Sequence, residues 1–405
     1  MSSSKTTAVI VAAARTPIGR FLGGLSTVTA PELGAAAIRA AIERGRIDPA
    51  AIGEVIMGNV LQGGVGQAPA RQAAIKAGIP GEVPAYTVNK VCGSGLQAVM
   101  LAAQAIRAGD EQLLVAGGQE SMSLAPHYVR GMRTGVKFGP QTMADGLIVD
   151  GLWCSFYDCH MGGHAEYTAK KAGITRQRQD EISLQSHQRA VAAIEAGRFK
   201  KEIVPVQVPG RKGPTVVDTD ESPRKDTSLE ALAKLRPAFP NDAPKDMKPE
   251  EYTITAGNAP GLNDGGAALV VASEEYARAN GLSVLARITG YASGGGDPRD
   301  LFFAPIVAVN NLMKKTGAKI SDYDLIEANE AFASQALADG DALGWDWDRV
   351  NVNGGAIALG HPIGASGARI LVTLLHALEA RDKRTGLATL CLGGGNAVAL
   401  SVERV

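Results

Sequence analysis

The strongest constraint on the fold is that the sequence repeats itself. Gly-Glu-Val-Ile-Met-Gly-Asn at 53–59 is matched by Tyr-Asp-Leu-Ile-Glu-Ala-Asn at 323–329, each a strand pattern running into an asparagine. From Asn59 to the CGSG turn at Cys92 is 33 residues, and from Asn329 to the GASG turn at Gly364 is 35. Each turn opens an apolar helix, one with Leu96, Val99, Met100, Ala103 and Ile106, the other with Ile370, Leu371, Leu374, Leu375 and Leu378. Each helix leads to a strand ending in glycines, LLVAGG at 113–118 and ATLCLGGG at 388–395. Two anchors at nearly equal separation indicate an internal duplication.

Within the first copy, strand patterns over 8–13, 54–58, 85–91 and 112–116 alternate with helical patterns over 30–43, 68–77 and 93–108. Alternation of this kind points to a layered α/β fold. Residues 125–250 break the pattern. They hold glycine- and methionine-rich loops, helices over 163–171 and 177–197, and a basic, proline-punctuated stretch over 204–249, which together read as an insertion.

Composition excludes several functions. Lysine plus arginine and aspartate plus glutamate both number 41, so there is no overall basic charge for nucleic acid or anionic membrane. Four cysteines, at 92, 154, 159 and 391, neither form a secreted disulfide framework nor show paired CxxC spacing. No bound metal is expected. The uncharged stretches 350–368 and 385–402 are interrupted by Gly, Asn, Ser or Pro, and no leader pattern precedes Arg15. A cytoplasmic protein is expected.

The candidate chemistry gathers at strand ends. Cys92 stands at a strand-to-helix turn, where backbone amides and the helix dipole favour an anion and predict a lowered thiol pKa. Taken alone it reads more readily as a buried, inert cysteine, the commonest fate of a free thiol. His361 precedes the second turn, and alone it reads also as a core or capping histidine. Cys391 is followed by Leu392 and three glycines, a backbone suited to presenting N–H groups to an oxyanion. Asn329 closes the matching strand of the second copy. A doubly layered sheet would bring all four toward one crevice.

VCGSG, NEAFA, GHPIGASGAR and CLGGG, in that order, resemble the thiolase family, specifically its acetyl-CoA C-acetyltransferase type. The resemblance covers nearly the whole chain and extends to ARTPIGRF at 14–21, GGQESMS at 117–123, HMG at 160–162, AKLRPAF at 233–239 and TAGNAPGLNDG at 255–265. It implies two βαβαβαββ halves in a five-layer α-β-α-β-α arrangement. One half would span 1–124, completed by about 251–278, and the other 279–405, with a coenzyme A-binding loop domain over 125–250.

The resemblance also implies roles. Cys92 would take the acyl group, His361 would draw its proton, and Cys391 would serve the departing CoA and the α-proton of a second acetyl-CoA. His361 with a water on Asn329 would form one oxyanion hole, and the N–H groups of Cys92 and Gly393 the other. Arg224, with Arg211, Lys212 and Lys225 around it, would meet the nucleotide phosphates. His160 would contact the substrate thioester, while Leu152, Phe239, Leu301 and Phe332 would line the acyl and pantetheine tunnel. The implied reaction is condensation of two acetyl-CoA to acetoacetyl-CoA, or its thiolytic reverse, with CoA thioesters as substrates and no tightly bound cofactor.

A 3-ketoacyl-CoA thiolase of longer range is the near alternative, against which HMG argues. A non-catalytic thiolase-like lipid-binding subunit is more remote, and a β-ketoacyl synthase would carry a histidine where Cys391 stands. The family habit is a homotetramer, with the loop at 125–145 as a contact. Three places depart from the pattern: Pro260 where a pantetheine-binding serine is usual, Asn396-Ala397 after CLGGG, and the bulky stretch 301–305. Cys154 and Cys159 are also unusual and are read as structural.

Overall fold

The computed structural model describes residues 6–405; the first five residues, part of the segment searched for a leader, lie outside it. Nine strands build the main sheet: β1 (Ala8–Arg15), β2 (Glu54–Gly58), β3 (Ala85–Val88), β4 (Leu113–Ser121), β5 (Asn263–Ser273), β6 (Ala286–Gly295), β7 (Leu325–Ala328), β8 (Thr385–Leu392) and β9 (Asn396–Arg404). They run in the order β7-β8-β9-β6-β1-β5-β4-β2-β3, with Gly19–Arg20 as a short tenth strand beside β5. Both halves follow the same path outward from a shared seam. The seam is the antiparallel pairing of the two first strands, Val9 with Arg287 and Ile10 with Ala286. Even the edge strand β3 has a counterpart, reduced to one bridge between Ile326 and Val350.

Helices fill three layers. α1 (Ala30–Gly45) and α2 (Pro69–Ala77) cover the outer face of the first half, packing Ile38, Ala41 and Ala73 on Val9, Val55 and Val115. α3 (Ser94–Ala108) and its repeat partner, Ile363–Ala380, lie between the halves. There Leu96, Val99, Ile370 and Leu371 meet Ile10, Leu114, Leu390 and Leu400. Ala304–Thr316 covers the outer face of the second half through Ala308 and Leu312. The result is the expected five-layer arrangement. Strands covered on both faces explain the continuous apolar runs of the sequence. Ile363–Ala380 has the length and composition of a bilayer span, yet 83% of it is buried in the molecule.

Two boundaries differ from expectation, each for a local reason. β4 continues through Gly117 and Gly118 to Ser121. Those glycines do not end the strand; a Cβ on Gly117 would strike the Ala267 carbonyl and one on Gly118 the Gly364 carbonyl. β3 stops at Val88 because the Asn89 side chain accepts the Val91 N–H at 3.1 Å and Val91 turns to φ 46°. The insertion contributes α4 (Met161–Ala172), α5 (Arg176–Glu195) and the short α6 (Leu229–Ala233), all outside the main sheet. In chain order the later helices of more than two turns are then α7 (Ala304–Thr316), α8 (Ala333–Leu343) and α9 (Ile363–Ala380).

The central crossing of α3 and α9 shows the duplication at atomic scale. A Cβ on Gly95 would lie 2.8 Å from the Ala368 backbone nitrogen, and one on Gly367 2.5 Å from that of Leu96. Gly95 and Gly367 hold equivalent places in the two turns, as do Leu96 and Ala368. Backbone thus meets backbone reciprocally, with no flexible side chain to give way. Gly95→Ala should lower stability by roughly 1–3 kcal/mol, the usual cost of overpacking. Thermal unfolding of the variant against the parent checks this; an unchanged midpoint would contradict the backbone crossing.

Candidate active site

The turn after β3 presents Cys92. Val91 is β-branched and held at φ 46°, a conformation such residues seldom adopt. Ser94 clamps it, accepting the Lys90 N–H at 2.8 Å and donating its hydroxyl to the Val91 carbonyl at 2.6 Å. Gly93 follows without a side chain because a Cβ there would collide with Leu392, the residue after Cys391. This contact brings the turn of the first half against the glycine loop of the second.

Cys92, His361, Cys391 and Gly393 line one cavity of about 550 Å³. The backbone N–H groups of Cys92 and Gly393 both serve the Cys92 sulfur. Asn329 is buried beneath His361, its Nδ2 3.4 Å from the imidazole Nδ1. The imidazole is anchored from behind: Ser366 Oγ is 2.6 Å from Nδ1 and donates to the Pro362 carbonyl at 2.9 Å. With the hydroxyl proton so used, we assign the imidazole proton to Nδ1, leaving the lone pair on Nε2. Nε2 and Asn329 Oδ1 are both buried without a partner among the described residues. Burial, reinforced by the Arg369 cation, lowers the His361 pKa to about 3, so the ring is neutral at physiological pH.

The expected lowering of the Cys92 pKa is not what the structure produces. Burial pushes the thiol up to about 12, despite the two backbone N–H groups, and the Glu120 carboxylate adds to the rise. A helix N-terminus favours an anion only by a modest amount, whereas removal from water costs a thiolate more. Cys391 is likewise held in its thiol form, first by burial and then by Cys92 and Asp339.

The apolar wall follows from the insertion. His160 caps α4, accepting the Gly162 N–H on Nδ1 at 3.0 Å, and stacks on Phe239 with centroids 4.7 Å apart. Phe239 meets Phe332 edge-on, and Phe332 in turn meets Phe302. Leu152 and Leu301 complete the lining, and Pro260 sits at the same wall. Arg224 stands between this cavity and an adjoining one of about 600 Å³ that also holds Lys225 and His187. Arg211 and Lys212 lie instead on the exposed turn between Val208 and Thr215 and line neither cavity. Of this basic group only Arg224 and Lys225 face a cavity.

Supporting residues carried weaker signals. Ser366 occupies the same repeat position as Ser94, and that symmetry is its only trace in sequence. Asn263 accepts the His361 N–H at 2.8 Å and donates to the Gly19 carbonyl at 2.9 Å. Glu120, fully buried, accepts from Asn59 Nδ2 at 2.7 Å, from the Val60 and Leu61 N–H groups, and from the Gly364 N–H at 2.8 Å. The two repeat-related asparagines therefore part company: Asn59 braces a structural clamp while Asn329 reaches the site.

A thiol near 12 gives a direct expectation. Alkylation of Cys92 by iodoacetamide, followed by peptide mass spectrometry, should rise about tenfold per pH unit between pH 7 and 10 without levelling. A plateau in that range would mean that the thiolate is stabilised after all.

Known proteins are similar to the chain in sequence and fold. The family model described as "Thiolase, N-terminal domain" matches residues 8–275, and "Thiolase, C-terminal domain" matches residues 282–404. The chain is 57% identical over 397 residues to an acetyl-CoA acetyltransferase of Pseudomonas aeruginosa, covering 98% of this chain and 99% of the relative. It is 54% identical over 400 residues to an acetyl-CoA acetyltransferase of Cupriavidus necator, covering 98% and 100%. Among solved structures, the acetyl-CoA acetyltransferase of Bacillus anthracis superposes with a TM-score of 0.95 at 42% identity, covering both chains completely. On the strength of a double family match, full-length relatives and a shared architecture, the chain belongs to the thiolase family.

Proposed function

We propose that the protein is an acetyl-CoA C-acetyltransferase, condensing two acetyl-CoA to acetoacetyl-CoA and CoA or running the thiolytic reverse. The observation that carries the reading is His361 Nε2, orphaned among the described residues beside two thiols in one apolar cavity, with the equally orphaned Asn329 Oδ1 buried behind that imidazole. Buried polar groups without partners cost free energy, so such a pair marks the place where a ligand supplies the missing bonds.

In the first half-reaction Cys92 Sγ attacks the thioester carbonyl of acetyl-CoA. Its proton moves to the bare Nε2 of His361, which its low proton affinity makes a transient carrier. Cys391, which burial holds as a thiol, supplies a proton to the departing CoA sulfur. The net result is acetyl-Cys92 and free CoA, with the Cys92 proton held on His361 and Cys391 left as a thiolate. The oxyanion formed on the way meets the N–H groups of Cys92 and Gly393. In the second half-reaction the Cys391 thiolate removes an α-proton from a second acetyl-CoA. Return to the favoured thiol drives this abstraction. The carbanion attacks the acetyl-Cys92 carbonyl, acetoacetyl-CoA leaves, and the proton ends on Cys92. His361, with a water held by Asn329, faces the enolate oxygen. Splitting the transfer in two gives ping-pong kinetics.

Arg224 at the junction of the cavities suits the phosphates of CoA, and residues 125–250 act as the CoA-binding unit between halves 1–124 and 279–405. His160 and the Phe239–Phe332 wall line the pantetheine path. Leu301 and Phe302 close the acyl end, which favours the short-chain reaction over a longer-chain thiolase. CoA thioesters enter as substrates, and no bound cofactor or metal takes part.

Loss of acetoacetyl-CoA enolate absorbance with free CoA tests the assignment. Cys92→Ala should abolish turnover, Asn329→Ala should reduce it on the order of 10²–10³-fold, and 3-ketoacyl-CoA of longer chain should react more slowly. Equal turnover in Cys92→Ala would sink the proposal.

We also propose a cytoplasmic homotetramer, a dimer of dimers joined through the 125–145 loop. That loop exposes Phe138 at 98% and Met143 at 69%, an apolar surface that isolated proteins rarely leave in water. In sedimentation velocity the protein should run as a tetramer and Phe138→Asp as a dimer. An unaltered assembly in the variant would refute this contact.

A further inference from the structure

Two cysteines have no part in the acyl transfer, and the fold sets them against each other. Residues 153–160 form an antiparallel hairpin in which Trp153 pairs with His160 and Cys154 with Cys159. Directly opposed residues of such a pair place their Cβ atoms roughly 4.5–5.5 Å apart on one face. A disulfide requires about 3.5–4.5 Å between Cβ atoms, so closure asks for rotamer choice and a small approach of the strands. Both thiols are free.

The hairpin is held in register from its tip. Asp158 sits at φ 51°, its N–H donates to the Cys154 carbonyl at 2.8 Å, and its carboxylate accepts the Trp153 Nε1–H at 3.0 Å. Tyr157 donates its hydroxyl to Asp297 at 2.8 Å, and a Cβ on Gly394 would lie 3.4 Å from Phe156. The hairpin is thereby fastened to the loop that follows Cys391, and its last residue is His160. Access is unequal, with Cys154 only 3% exposed and Cys159 half-buried.

We propose that Cys154 and Cys159 are a disulfide-forming pair, a redox modification site on the hairpin that presents His160 to the acyl cavity. The oxidant is a low-molecular-weight disulfide of the glutathione or CoA type. The more accessible Cys159 attacks one of its sulfurs as thiolate, forming a mixed disulfide and releasing one thiol. Cys154 then attacks the Cys159 sulfur, closing the protein disulfide and releasing the second thiol. Both electrons pass to the oxidant, and both cysteine protons end on the released thiols. Burial, with Cys154, Asp242 and Asp158 nearby, pushes the Cys159 thiol up to about 11. Attack is slow for that reason, and a poor leaving thiolate also makes the finished bond resistant to reduction.

The full-length Cys92→Ser, Cys391→Ser double variant retains Cys154 and Cys159 as its only thiols. It is incubated with oxidised glutathione at mildly alkaline pH, blocked with N-ethylmaleimide and digested without reductant. The peptide spanning both cysteines should appear two hydrogens lighter, free of maleimide and glutathione. Adding Cys154→Ser should halt the reaction at a glutathione adduct on Cys159. The same peptide is followed in the wild-type protein, so the result does not depend on folding of the double variant. Recovery of both thiols as maleimide adducts, or of a stable glutathione adduct while Cys154 is present, overturns the proposal.

Discussion

Everything at the active site hangs on the close crossing of α3 and α9 between the two halves of the sheet. Gly95 and Gly367 let each helix rest on the backbone of the other, and Gly118 lets the N-terminus of α9 lie against β4. A helix pair separated by ordinary side chains stands 8–10 Å apart. At such a distance the Cys92 turn and the His361 turn would open into different spaces. The surplus of glycine, 49 residues in 405, therefore has a mechanical purpose at these positions. The Glu120 clamp secures the same junction, binding the loop after Asn59 to the Gly364 N–H and so one repeat to the other.

The two halves contribute unequally to chemistry despite their shared path. The first supplies the proposed nucleophile, Cys92, on a strained turn. The second supplies the imidazole, the second thiol, the carboxamide and a backbone donor. A symmetric ancestor would present the same turn twice, but only one turn carries a cysteine, the other having Gly364 in its place. A Cβ on Gly364 would strike the Glu120 carboxylate and the Gln119 carbonyl, so that turn has no room for a side chain, and the second half presents the imidazole of His361 instead. Its Nδ1 is tied to Ser366, the counterpart of the serine that braces Val91. One structural hydroxyl has thus become two devices, a backbone brace and a ring anchor.

Much of this was legible in the sequence because it depends on local spacing. The duplication, the strand–turn–helix setting of Cys92 and the layered fold all follow from periodicity and from turns of fixed length. What stayed hidden depends on burial, which no local pattern encodes. The Cys92 pKa was expected to fall from the helix end alone, yet enclosure by both halves reverses its direction. Strand β4 looked finished at its glycines because the nearness of Ala267 and Gly364 is a tertiary fact. The absence of Arg211 and Lys212 from the cavity linings has the same origin, since both lie on the exposed turn of a hairpin. Glu120 and Asn263 lie in segments whose resemblance was noted, but nothing in their spacing indicates what they hold.

The order of strands has a consequence for synthesis. The first half of the sheet runs β3-β2-β4-β5-β1, so β5, made from residues 263–273, lies between strands completed far earlier. The nascent chain must emerge through the whole insertion before that half can close. Its inner face then waits longer, for α9 is drawn from residues 363–380. Contacts this distant in sequence form slowly. A broad apolar surface is consequently exposed on the ribosome until the chain is almost complete, and the polypeptide acquires Cys92 long before it acquires His361 and Cys391.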